Sequence, residues 1–195
     1  MEKPNLLVTL RHTTRGQQHA LRQTLGYSGL PASTEAGIER LSRFRSVYAP
    51  LEIQLAAFGV WEGYGLAPAG PYGLEQLDTD LKAIGVREPA FIRDCPSVPR
   101  LKADHATAFG YLYVMHAVSL DAQTIARRLK QARGVDAGNG ALREDDADGQ
   151  EIWRSFDAAL QRLEATGAER DKVVFGAIYA FNVFLNCCEA AAQTS

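Results

Sequence analysis

The chain has 195 residues, 46% of them hydrophobic and 23% charged, with a formal net charge of −2 at pH 7. That length suffices for a single domain, residues 1–195, with a full core and no covalent staples. The near-neutral balance, with no basic cluster among stacking aromatics, excludes nucleic acid and an anionic membrane surface as expected partners.

The opening MEKPNLLVTLRHTT has too short an apolar segment for a signal peptide and no small-residue cleavage site. No run approaches membrane-spanning length, so a cytoplasmic location is expected. Pro4-Asn5 leads into a helix expected over 5–25, whose inward stripe is Leu7, Leu10, Thr14, Gln17/Gln18, Leu21 and Leu25. His19 is turned by about 100° from Gln18 and shares an outer, solvated face with His12, Arg15 and Arg22. Gly26 to Pro31 breaks the helix. Ser33 or Thr34 then caps a second helix reaching about Phe58, with Glu35 near its positive end and Pro50 inside it, where a kink is expected.

Gly59 to Tyr72 reads as a loop folded back by Trp61, Tyr64 and Tyr72. Short helices are expected over 74–84 and 89–93. The longest periodic run follows, ATAFGYLYVMHAVSLDAQTIARRL at 106–129, inside a helix expected over 102–133. Ala108, Leu112, Met115, Ser119, Ala122, Ala126 and Leu129 recur at helical spacing, and Phe109, Tyr113, His116 and Leu120 widen the stripe, so this helix is central. Its small residues at 117, 119 and 122 admit a close neighbour, either another helix or a flat cofactor. Residues 134–150 read as an exposed polar loop. Helices over 151–165 and 169–192 close the chain, the last apolar nearly all round and therefore expected to be buried. Cys95, Cys187 and Cys188 form no CxxC or Cys/His pattern and agree with a reducing compartment, with Cys187-Cys188 read as two small buried hydrophobes. The fold class is all-α.

Several of these segments resemble the haem oxygenases, particularly the bacterial type that supplies biliverdin to phytochromes. Leu112–Val114 and Ile125–Leu129 match LYV and IARRL of that family's distal helix, RFRSVYAPLEIQLAAF matches its second helix, and LKAIGV…CPSVPRL matches its approach to the distal helix. Leu10-Arg11-His12-Thr13-Thr14-Arg15 is similar to the opening of a first-helix motif like LRxATxxxH. The resemblance implies a helical bundle with a kinked central (distal) helix. Haem or a related tetrapyrrole would be held between the first and central helices, and O2-dependent cleavage to biliverdin would be the activity.

It also implies a pocket of Arg11, Thr14, Gln18, Leu21, His116, Ser119, Asp121 and Ala122, with Arg11 and Arg15 as partners for haem propionates. Gln18 falls where the family carries its iron-binding histidine, and His19 is one residue later, so the metal ligand would be Gln18 or His19. Asp121-Ala122 replaces the family's distal Gly-Gly, and His116-Ala117 its Glu-Gly. An amide oxygen is a poor iron ligand beside imidazole, and a buried carboxylate needs a hydrogen-bond partner or a metal, unless it points to solvent. His116 reads as a hydrogen-bonded core histidine. Both replacements together argue against normal turnover. The alternative is a non-enzymatic scaffold that takes a small apolar ligand or a protein partner without haem; an electron donor or phytochrome-type partner is left undetermined. A di-iron oxidase is disfavoured because Glu52, Asp104, His105 and His116 form no ExxH set, and a thiaminase-like site at Cys187, Cys188 and Glu189 is weaker still.

Overall fold

The computed structural model describes residues 4–25, 33–67, 70–101, 104–136 and 147–189. They form six helices: α1 (Leu6–Leu25), α2 (Thr34–Ala56), α3 (Leu74–Ala83), α4 (His105–Ala132), α5 (Ala147–Ala165) and α6 (Arg170–Glu189). Single 3₁₀ turns occupy Trp61–Tyr64 and Pro89–Phe91, the second where a short helix to residue 93 is expected. No strand occurs among the described residues, and the chain is all-α as its periodicity predicts. The expected breaker at 26–31, most of the polar stretch 134–150, Lys102 and the end of the last expected helix lie outside the described residues.

The caps follow from local chemistry. Asn5 Oδ1 accepts the Val8 N–H at 3.1 Å, and Ser33 Oγ accepts that of Ala36 at 3.1 Å. At the start of α4, Asp104 accepts the Ala106 N–H at 3.2 Å and the Thr107 hydroxyl at 2.7 Å. α3 is preceded by Gly73, which offers no side-chain cap; Glu52 of α2 supplies one in its place, accepting the Leu74 N–H at 3.0 Å. Burial nevertheless pushes the Glu52 carboxyl above its ordinary value.

Pro50 lies within α2, which continues on both sides of it. Proline has no N–H, so the carbonyl of Ser46, four residues earlier, loses its helical partner. That carbonyl instead accepts the Cys95 N–H at 2.9 Å. The loop after α3 is thereby tied to α2, and Gln54 ties it again, donating to the Pro99 carbonyl at 3.1 Å and accepting the Leu101 N–H at 2.8 Å.

The same loop carries Cys95, which is disulfide-bonded to Cys187 of α6. This corrects the reading of three thiols. Adjacent helical residues diverge by about 100°, so Cys187 reaches the loop while Cys188 stays a buried free thiol. A disulfide belongs to oxidising compartments or redox-sensing proteins, so cysteine usage does not argue for a reducing one. Burial pushes the Cys188 thiol up to about 12, which leaves almost no reactive thiolate at pH 8. Iodoacetamide is therefore expected to label no cysteine in the folded, unreduced protein. After unfolding without reductant it should label Cys188 alone; three labelled cysteines would disprove the cross-link.

α4 is the central element: every residue from Ala106 to Ala122 except Thr107 is buried. α6 crosses it backbone to backbone through Gly110 and Gly176. A Cβ on Gly110 would overlap the Val173 carbonyl and lie 2.6 Å from the Ala177 nitrogen, and one on Gly176 would overlap the Thr107 carbonyl. α6 is not buried all round, as its composition suggests; Phe175 is 61% and Tyr179 41% exposed. α6 is also long and apolar enough to cross a membrane, with a mean hydropathy of 1.2, against the expectation that no run reaches that length. Buried Gly176, Ala177, Ala180, Phe181 and Phe184 account for this composition as that of a core helix.

Between α2, α3 and α4 lies a polar network. Arg45 grips Asp78 through two N–H groups at 2.5 and 2.9 Å, and Lys130 and the Tyr72 hydroxyl both donate to Asp80, at 2.8 and 2.7 Å. The Tyr48 hydroxyl accepts the Gly70 N–H at 3.1 Å. Burial raises the Tyr48 and Tyr72 hydroxyls far above their ordinary value, so both remain neutral hydrogen-bonding groups.

Candidate functional site

The side chains of Thr14 and Arg22 on α1 reach α4 at two points. Thr14 Oγ1 is 3.3 Å from the Tyr113 hydroxyl, and Arg22 Nε donates to both oxygens of Asp121, at 3.1 and 2.9 Å. Each contact joins residues 99 apart in sequence. Gln18 lies between the two cross-links along α1 and is half-buried. Two such cross-links, eight residues apart, bound a stretch of about 12 Å along the helices.

The expected site residues distribute as follows. Thr14 and Leu21 are buried on α1, with the Thr14 hydroxyl also donating to the Leu10 carbonyl at 2.8 Å. Gln18 is half-buried and His19 exposed. The His19 ring nitrogen lies 3.0 Å from the Gln23 side-chain amide, and His12 is also exposed. His116 is buried, its ring 5.1 Å from that of Phe156 and 6.3 Å from that of Trp153. Ser119 belongs to another face of α4. Its hydroxyl donates to the His116 carbonyl at 3.1 Å, and Gly70 presses so close that a Cβ there would be 2.5 Å from it. Ala122 is fully buried.

One open alternative closes and one expectation changes. Of the two readings of Asp121, a buried carboxylate with a partner and one turned to solvent, the first holds: its side chain is 5% exposed and ion-paired with Arg22, whose side chain is 31% exposed. Arg22 accordingly does not share the solvated face of His12, Arg15 and His19. It lies four residues after Gln18 as well as three after His19, and the first of these spacings prevails. The 14-18-22 repeat is the signal in the sequence that could have identified it.

Arg11 is drawn toward α5. Its guanidinium lies 4.9 Å from the Trp153 ring centroid, a cation–π contact. Arg11 and Trp153 line a cleft of about 700 Å³ between α1 and α5, together with Leu7, Arg154, Asp157 and Gln161. Arg154 pairs with Glu151 at 2.9 Å, and Asn5 donates to Asp157 at 2.9 Å. The buried indole N–H of Trp153 has no acceptor among the described residues. Such a cleft is the size of a site for a cofactor-sized ligand, with cations at its mouth and an aromatic wall. Among the described residues no group of three or more His, Cys, Asp or Glu side chains could hold a metal ion.

Residues 80–190 match the family described as Heme oxygenase. That span takes in α4, α5 and α6 and leaves α1 outside. A curated relative described as a heme oxygenase, from Xanthomonas campestris pv. campestris (strain 8004), is 30% identical over 183 residues, covering 89% of this chain and 99% of the relative. No solved structure gives a significant match. The extent of both matches, on an all-α fold organised about α4, leads to one statement: this chain belongs to the haem oxygenase family.

Proposed function

We propose that this chain is a tetrapyrrole-binding member of its family that does not cleave haem. The observation that carries the reading is the composition of the α1 stripe facing α4, which is Thr14, Gln18 and Arg22, with both α1 histidines on exposed positions. Haem cleavage requires iron held by a ligand that tunes oxygen binding. Gln18 offers an amide oxygen, which is weak in that role. Oxygen activation also requires room on the α4 side, where glycine lets the backbone lie against the macrocycle. Here Asp121 occupies that side and is engaged by Arg22. The residues present do not fit haem iron in the family's manner.

A tetrapyrrole would have its place in the cleft between α1 and α5, where Arg11 and Arg154 could meet ligand carboxylates beside the edge of Trp153. A non-cleaving member has no need of an electron donor. The test is a haemin titration of the purified full chain, followed by addition of reductant and oxygen. The expected result is saturable one-to-one binding with a broad Soret band and no biliverdin. Loss of the Soret band with biliverdin appearing would overturn the non-cleaving reading. Non-saturating absorbance with every tetrapyrrole tried would replace it with the scaffold alternative, a chain that takes a small apolar ligand or a protein partner.

A further inference from the structure

A further cleft, of about 340 Å³, lies between α4, α6 and the loop before α4. It shares no lining residue with the one beside α1, so the tetrapyrrole reading stands or falls without it. We infer that this cleft binds a small planar aromatic carboxylate, whose ring lies on Phe175 and Tyr179 and whose carboxylate is held by the Tyr111 hydroxyl and Arg100. The volume is at the lower end of small-molecule sites, about 300–1,000 Å³, which suits one ring with a short arm.

Tyr111 is the polar group that asks for a ligand. It is 3% exposed and lines the cleft, yet its hydroxyl has no hydrogen-bond partner among the described residues. The other three buried tyrosines are all engaged: Tyr48 with Gly70, Tyr72 with Asp80 and Tyr113 with Thr14. Burial, and then Tyr179, hold the Tyr111 hydroxyl well above its ordinary value, so it remains a protonated donor. An acceptor that reaches it displaces no protein partner. The Tyr111 ring is 6.3 Å from that of Tyr179, which is 6.0 Å from that of Phe175, and the three make a continuous aromatic wall.

The facing wall is fixed before any ligand arrives, because Gln54 of α2 clasps it at the Pro99 carbonyl and the Leu101 N–H. Arg100 lies between those two anchor points, exposed, and pairs with no acid among the described residues. Asp104 also lines the cleft, but its oxygens are engaged by the Ala106 N–H and the Thr107 hydroxyl, at the positive end of α4. The charge left to meet a ligand is the guanidinium, which selects an aromatic acid over an aromatic amine.

The experiment is isothermal titration calorimetry of the full chain with trans-cinnamate, trans-cinnamamide and cinnamylammonium. Cinnamate is expected to saturate one site and to bind about tenfold more tightly than the amide, as a hydrogen bond to a charged group supplies. Arg100→Gln should bring cinnamate down to the level of the amide and leave the amide unchanged. Tyr111→Phe should weaken cinnamate about tenfold without lowering the melting temperature of the unliganded protein, because that hydroxyl makes no contact in the fold. A lower melting temperature with cinnamate affinity kept would assign the hydroxyl to the fold and overturn the inference. Tighter binding of cinnamylammonium than of cinnamate would overturn it, as would a cinnamate affinity that neither variant changes. Heats that never saturate would also overturn it and leave Phe175 and Tyr179 as a surface for a protein partner.

Discussion

Gly110→Ala is expected to lower the melting temperature by roughly 6–12 °C, from a cost of about 3 kcal/mol at about 2–4 °C per kcal/mol for a chain of this size. Alanine is the best helix former and ordinarily stabilises a helix relative to glycine by about 0.5–1 kcal/mol. At this position one methyl group would overlap the backbone carbonyl of Val173 and sit 2.9 Å from the Gly176 carbonyl carbon. Backbone cannot move aside as the end of a side chain can, so α4 and α6 would have to separate. Much of the core lies along that crossing, including Phe109, Tyr113, Phe181 and Phe184. Gly16→Ala is the internal control. Gly16 lies on the exposed side of α1 with nothing within 4 Å of a Cβ, so the same substitution should raise the melting temperature by roughly 1–4 °C. Equal shifts for the two variants would disprove the close crossing.

What was legible in the sequence is what depends on local period. The run at 106–129 announces a central helix, and it is one; Leu7, Leu10, Thr14, Leu21 and Leu25 announce the inner face of α1, and all five are buried. The proline at position 50 was legible as a missing hydrogen bond, but not the fate of the released Ser46 carbonyl, which depends on a loop more than forty residues away. Cys95 and Cys187 are 92 residues apart, and nothing in the spacing of three cysteines specifies a partner. Phe175 and Tyr179 read as core because composition does not tell which side of an apolar helix meets the protein. The offset of 99 that pairs α1 with α4 is likewise tertiary. Without it, Asp121 looked like a candidate for a metal or for water, and Arg22 like one more surface arginine. Family resemblance located Asp121 as a position that changed, and only the geometry showed that Arg22 compensates its charge.

That compensation has a measurable asymmetry. Arg22→Ala is expected to cost about 3 kcal/mol, the lower end for removing one partner of a buried ion pair, because it leaves a carboxylate whose side chain is 5% exposed without its guanidinium. The lower end applies since Arg22 is itself 31% exposed and water reaches part of the pair. Asp121→Ala should cost less, about 1 kcal/mol or under. The guanidinium left behind can turn to solvent, and alanine returns this position to the small side chain that suits a packed α4. Arg22→Ala/Asp121→Ala should then be more stable than Arg22→Ala alone, since the second change removes the buried carboxylate that lost its guanidinium. Denaturant melts of the four proteins close the cycle. Two single variants each within about 0.5 kcal/mol of wild type would place the pair in the range of an ordinary surface contact, and α1 would not be latched to α4.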